Sequence, residues 1–234
     1  MHVVGLTGGI ACGKSTVSAY LASRPGVEIV DLDLIARDVV EVGRPAWRAV
    51  VAAFPECQLA DGSIDRKKLG DLVFADASLR RKLGRAINKW IAFSLVSALL
   101  SALLRPLGPR TLVIDAPLLF ETPPLPKLCC ETVCVAVSPA VQEARLRKRD
   151  ACSADAARKR IAAQMPVAEK VRRATRTIWN DGTEADLTAK LDSLAFGISL
   201  SGIAIWLRVM RTASRFACLY AAVAAARALR AFLV

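Results

Sequence analysis

Residues 8–15 read Gly-Gly-Ile-Ala-Cys-Gly-Lys-Ser, which fits G-x-x-x-x-G-K-[ST] without a gap. No other stretch constrains the fold as much. Glycines let the backbone fold closely, so that its N–H groups face phosphate oxygens. The positive end of a following helix adds to their pull. Such a loop needs a strand before it and a helix after it. His2–Thr7 (HVVGLT) is strand-like, and Lys14–Ser23 reads as a helix. Gly8, Gly9, Ala11, Cys12, Gly13, Lys14, Ser15 and Thr16 are therefore candidate contacts to the phosphates of ATP. The Lys14 ammonium is expected to reach the outer phosphates, and the Ser15 hydroxyl to ligate magnesium.

The rest of the chain repeats the strand–helix alternation. Strands are expected at Val27–Val30, Thr111–Asp115, Glu131–Val137 and Arg176–Trp179. Helices are expected at Leu32–Val40, Pro45–Phe54, Arg66–Phe74, Ser78–Leu104, Ala140–Arg149, Ser153–Gln164 and Glu184–Leu194, with a loop at Leu59–Ser63. Ser153 is a plausible N-cap. On the long helix, Ser94, Ser97 and Ser101 form a small polar stripe. Short apolar strands between helices predict an α/β, three-layer fold with a parallel sheet, whose ligands sit at the carboxyl ends of the strands. The strand-free stretch 45–105 fits an inserted helical subdomain. The expected organisation is a kinase-type domain over 1–193, a lid over 145–170 and a separate tail over 194–234.

The first strand ends on the glycine loop, the second on Asp31 and Asp33, and the third on Asp115. These endings should converge on one edge. Asp33 is the candidate base for an alcohol acceptor, because phosphoryl transfer gains from a group placed on the acceptor's proton. It could equally cap the helix that starts near Leu34. Asp115 could hold magnesium through water, or simply shape the turn before Ala116-Pro117. Arg145 and Arg149 share a helix face, with Arg147, Arg158 and Arg160 nearby. They read as a lid that stabilises charge on the transferred group, or else as a solvated face.

The net charge is +12. No basic strand interleaved with aromatics is visible, so nucleic acid is not expected as a partner. The excess fits phosphate handling and a membrane surface instead. Seven cysteines at irregular spacing, with His2 the one histidine, give no zinc pattern. They read as reduced thiols in a cytoplasmic or other reducing compartment. The chain opens directly on a strand-like run, so it does not read as secreted.

Several stretches together resemble the dephospho-coenzyme A kinase family. They are VGLTGGIACGKST (Val4–Thr16), VDLDLIARDVVEVG (Val30–Gly43), DGSIDRKKLGDLVFAD (Asp61–Asp76), VIDAPLLFE (Val113–Glu121), QEARLRKRD (Gln142–Asp150), RIAAQMPVAEK (Arg160–Lys170) and IWNDG (Ile178–Gly182). The resemblance covers about residues 2–190. It implies transfer of the ATP γ-phosphoryl to the ribose 3′-hydroxyl of dephospho-coenzyme A. By motif position Asp33 resembles the catalytic base, Arg145 and Arg149 look like lid and phosphate contacts, and Asn180 resembles a residue near the adenine. The 45–105 helices look like the coenzyme A subdomain. The chain departs from the family at Ala11-Cys12, where Gly and Ser are usual, and at Asn88-Lys89, where His-Pro is usual. It departs again at Asp150-Ala151, usually Asp-Gly, and at Ala174-Thr175, usually Ala-Asp.

Residues 194–234 lie beyond the resemblance. They carry Arg208, Arg211, Arg215, Arg227 and Arg230 and no acid. Leu194–Leu207 and Phe216–Ala226 are uncharged runs, both shorter than the ~18–20 residues of a spanning helix. On one continuous helix the arginines fall within an arc of roughly 160°. That describes a basic amphipathic helix suited to an anionic membrane surface; packing on the protein's own core or on a second subunit is the alternative. Two other readings of the whole chain stand beside the first. One is a different small P-loop kinase. The other is a non-catalytic, membrane-associated ATP-binding regulator. Nothing in the sequence fixes a subunit number.

Overall fold

The computed structural model describes residues 1–105 and 108–193. The tail expected over 194–234 lies outside the described residues. In chain order the elements are β1 (His2–Gly8), α1 (Lys14–Ala22), β2 (Val27–Asp31), α2 (Leu32–Asp38), α3 (Pro45–Ala53), α4 (Arg66–Ala75), α5 (Ala77–Leu104) and β3 (Thr111–Asp115). There follow β4 (Glu131–Ala136), α6 (Pro139–Asp150), α7 (Ala154–Ala162), α8 (Val167–Arg173), β5 (Arg176–Trp179) and α9 (Glu184–Ser193). Contacts divide the chain into two units, one of Met1–Ile29 with the chain from Gly108, the other Val30–Leu107.

The first unit is built on a sheet with strand order β2-β3-β1-β4-β5. β1 runs parallel to β3, from His2 beside Thr111 to Leu6 beside Asp115. It also runs parallel to β4, from Val4 beside Glu131 to Gly8 beside Val135. β4 and β5 are parallel too. Every residue of β1 is buried, as its unbroken apolar run demands of a central strand covered on both faces. Val4, Leu6, Val113, Val133, Val135 and Ile178 pack against Val17 and Leu21 of α1 and Leu187 and Leu191 of α9. Because β1 and β3 are parallel neighbours, Gly8 and Asp115 finish at the same edge of the sheet, where ligands bind in such folds.

The second unit is helical. Val50, Phe54, Cys57 and Leu69 form its core, with Leu79, Leu83, Ala86 and Ile87 of α5 packed against them. α4 and α5 start on carboxylate caps: Asp65 accepts from the Lys68 N–H at 2.9 Å, and Asp76 from the Ser78 N–H at 2.6 Å. The turn over 59–63 is closed by an antiparallel bridge between Gln58 and Ile64. Trp47 Nε1 ties it down by donating to the Gly62 carbonyl at 2.9 Å. α5 is long and apolar enough to cross a membrane by length and composition alone. The unit begins at Val30, so Asp31 and Asp33 group with the helices.

Helix ends agree with expectation to within a few residues. The expected Ser153–Gln164 helix runs over α7 only, and Ser153 caps it, accepting from the Ala156 N–H at 3.2 Å. α8 and the 3₁₀ turns Pro55–Cys57 and Pro126–Leu128 have no counterpart among the expected elements.

Ala151 caps the C-terminus of α6 with φ +47. An L side chain there meets the following carbonyl, which costs about 1–2 kcal/mol. Glycine is the usual residue at such a cap. Ala151→Gly should therefore gain roughly 0.5 kcal/mol after glycine's extra chain entropy is subtracted. Scanning calorimetry should show a Tm higher by about 1–2 °C; a lower Tm would mean that the left-handed turn is not strained.

Candidate active site

The glycine loop leaves β1 at Gly8 and enters α1 at Lys14. Gly13 has φ +88 and forms the N-cap of α1. A Cβ on Gly13 would lie 2.3 Å from Asn180 Nδ2, so only glycine fits. The first turn of α1 contains no acid, which leaves the positive helix end open to an anion. Ala11 sits at φ +60, a conformation that L residues rarely adopt. Cys12 is fully buried and belongs to the core with Val4 and Val17. Burial pushes its thiol pKa up. The two departures from the usual loop thus differ physically: Ala11 carries backbone strain, whereas Cys12 serves as a small core residue.

Side chains from later in the chain grip the loop's backbone. Gln142 Nε2 donates to the Ile10 carbonyl at 2.9 Å, and the Ile10 N–H donates to Gln164 Oε1 at 3.0 Å. Asn180, itself buried, donates from Nδ2 to the Cys12 carbonyl at 3.0 Å. The loop borders a 260 Å³ cavity whose walls include Ala11, Gly13, Thr16, Arg145, Asn180 and Gly182. The structure thus brings Arg145 and Asn180 to the loop.

Lys14 Nζ is ion-paired with the Asp115 carboxylate, which is 4% exposed. Asp115 is therefore more than a turn former: it closes β3 and meets the loop lysine. Among the described residues no group of three His, Cys, Asp or Glu side chains could hold a metal. A divalent cation here would have the Ser15 hydroxyl as a protein ligand and Asp115 through water, and would depend on phosphates and water for the rest. Magnesium accepts such a set readily.

The arginines of α6 and α7 divide. Arg145 Nη2 donates to the Gly182 carbonyl at 3.2 Å. Arg149 instead donates to Asp150, from Nε at 2.7 Å, and Arg160 joins the same carboxylate. The Arg149 hydrogen bond, with help from Arg160, holds the Asp150 carboxyl below its ordinary pKa. Arg158 pairs with Asp155 at 2.8 Å. In this structure Arg149 is engaged with its neighbour, and Arg145 lines the cavity.

In the helical unit, Asp31 rather than Asp33 is the N-cap of α2. Its Oδ1 accepts from the N–H groups of Asp33 at 2.8 Å and Leu34 at 3.1 Å. The capping alternative considered for Asp33 therefore belongs to Asp31. Sequence reasoning gave no role to Gln142, Gln164, Glu121 or Lys170. All four lie inside the family-like stretches, so their presence was legible while their purpose was not.

A family model described as dephospho-CoA kinase matches residues 2–186. The chain belongs to the dephospho-CoA kinase family. It is 42% identical over 191 residues to a dephospho-CoA kinase of Thermosynechococcus vestitus, covering 81% of this chain and 91% of that one. It is 40% identical to a dephospho-CoA kinase of Arabidopsis thaliana, covering 88% of each. A dephospho-CoA kinase domain-containing protein of Danio rerio is 39% identical, over 88% of this chain and 92% of that one. Among solved structures, one from Thermus thermophilus superposes with TM-score 0.69 at 32% identity, over 82% of this chain and 95% of that one.

Family membership makes the loop the nucleotide site, and its steric limits then yield a test. Gly13→Ala should abolish detectable binding of a fluorescent ATP analogue, because the new methyl group displaces Asn180 from the loop. Its backbone conformation should also cost about 1–2 kcal/mol of stability. Retained ATP binding in the folded variant would show that the loop tolerates a side chain there.

Proposed function

We propose that this protein phosphorylates the ribose 3′-hydroxyl of dephospho-coenzyme A with ATP, giving coenzyme A and ADP, the last step of coenzyme A synthesis. What supports this reading is the family match over residues 2–186 on a chain that keeps the full glycine loop and its Lys14–Asp115 pair. The loop N–H groups and Lys14 hold the triphosphate. Arg145 at the cavity stabilises charge as it shifts onto the leaving phosphate. Asp33 accepts the proton of the acceptor hydroxyl, so that the oxygen attacks as a better nucleophile. Arg149 takes up phosphate contact on exchanging its bond to Asp150. Asn180 borders the adenine. Magnesium, held by Ser15 and through water by Asp115, would offset the charge of the phosphates. The helical insert over 45–105 recognises the coenzyme A part of the acceptor.

The deciding experiment couples ADP release to an optical signal, with purified protein, ATP and dephospho-coenzyme A. Turnover is expected with this acceptor. Turnover with adenylate or pantetheine in its place would favour another small P-loop kinase, and ATP binding without turnover a regulator. Asp33→Asn should lower kcat by at least about 100-fold and leave ATP affinity unchanged; normal turnover would remove Asp33 from the role of base.

The 194–234 tail, with five arginines and no acid, associates with an anionic membrane surface in the same reading. Deleting it should leave kinase activity intact and abolish flotation with anionic liposomes. A full-length protein that stays in the soluble fraction would sink this part of the proposal. The six described cysteines are free thiols, which suits work in a reducing compartment.

A further inference from the structure

Lys170, on α8, is fully buried, which is unusual for a lysine. Its ammonium has three defined neighbours. Nζ donates to the Pro117 carbonyl at 2.6 Å and lies 3.5 Å from the Gly8 carbonyl. It also pairs with Glu121 Oε1 at 3.1 Å. Glu121 Oε1 in turn accepts from the Met165 N–H at 3.2 Å, so the pair is tied to the stretch just before α8. The Pro117 carbonyl receives a second donor, the buried Thr7 hydroxyl, at 3.1 Å.

These contacts fall on both halves of the phosphate site. Gly8 opens the glycine loop. Pro117 lies two residues past Asp115, the partner of Lys14. The stem of Lys170 descends from α8, whose first residue Val167 packs where a Cβ on Gly9 would come within 2.6 Å of it. One cation thus bonds the start of the loop, the segment after the acidic strand end and the base of the lid. If stability were its only purpose, a buried ion pair would be a poor choice: well-packed apolar residues of the same volume usually do as well or better.

We infer that Lys170 is a positioning residue for ATP: its ammonium sets the spacing between the glycine loop and the Asp115 strand end. Lys14 must bridge that spacing to reach phosphate. The inference rests on the nucleotide half of the proposed reaction and is independent of the acceptor's identity.

The test crosses stability with affinity, reading binding of a fluorescent ATP analogue by equilibrium titration. In Lys170→Met with Glu121→Gln, both charges go, volume is kept and the new amide oxygen at position 121 still accepts from the Met165 N–H. This double variant should hold its Tm within about 3 °C yet bind the ATP analogue more weakly by roughly tenfold or more. In turnover assays its KM for ATP should rise while the acceptor KM stays put. Glu121→Gln alone leaves the Lys170 bonds to both carbonyls, so it should lower Tm while ATP affinity stays within about threefold, because the spacing is unchanged. A folded double variant with unchanged ATP affinity overturns the inference, as does an affinity that merely follows Tm across both variants. Should the double variant fail to fold, Lys170→Gln with Glu121→Gln takes its place, its shorter amide able to reach at most one of the two carbonyls. ATP binding weaker by roughly tenfold or more then supports the inference, and unchanged affinity overturns it. A change in acceptor use alone would count against the proposed substrate and leave the role of Lys170 standing.

Discussion

The structure turns on how the backbone of residues 8–13 is held. A loop that offers its amides to phosphate must find partners for its remaining polar groups, since buried backbone atoms are almost always hydrogen-bonded. Here the partners are long side chains: Gln142 and Gln164 on Ile10, Asn180 on Cys12 and Lys170 at Gly8. All of them come from residues 142–180, more than a hundred positions away in the chain. The glycine motif supplies a backbone that can adopt the shape. The shape itself is imposed by α6, α8, the segment after α7 and the end of β5. This is why a motif of eight residues requires most of a domain around it.

Charge at the site follows the same logic. Lys14 is held by Asp115, and Lys170 by Glu121, so each lysine at the loop already has an anion. The two pairs differ in burial: Lys14 keeps some exposure, with a side chain 16% accessible, while Lys170 has none. A cation with some access to solvent can exchange one anion for another at modest desolvation cost, whereas a sealed one cannot. The pair on the open side suits exchange with phosphate, and the sealed pair suits a fixed frame.

The fold was largely legible in the sequence because its signals are local. β1, β3 and β4 are mostly apolar runs ending in turn residues, and Ser153 is a cap that works from its own position. The assignment of carboxylates was only half legible. Asp31-Leu32-Asp33 offers two acids at a helix start, and either fits a capping rule. Backbone geometry alone decides that Asp31 caps, with extended φ and ψ ahead of Asp33. α8 escaped notice because seven residues rich in Lys, Arg and Glu show too little periodicity to read as a packed helix. Lys170 escaped for a deeper reason. In a string such as VAEKVRR every basic residue looks solvated. Its burial depends on carbonyls of Gly8 and Pro117, which no local pattern reveals.

The arginines of α6 and α7 show how an apparent cluster of equivalent charges separates once partners are counted. Arg149 and Arg160 converge on Asp150, and Arg158 holds Asp155, so these arginines neutralise acids of their own two helices. The Arg160–Asp150 pair joins α6 to α7, and with seven cations against three acids over 139–162 the two helices keep a net positive charge. Arg145 bonds a carbonyl instead, that of Gly182, and lines the cavity beside Ala11 and Gly13. A guanidinium bonded to a neutral carbonyl gives up far less on meeting phosphate than one that must abandon a carboxylate. On that ground, in the proposed reaction Arg145 would engage phosphate from where it stands, while Arg149 would first have to be released by Asp150. The order in which these charges would act there is set by their resting partners rather than by their spacing along the helix.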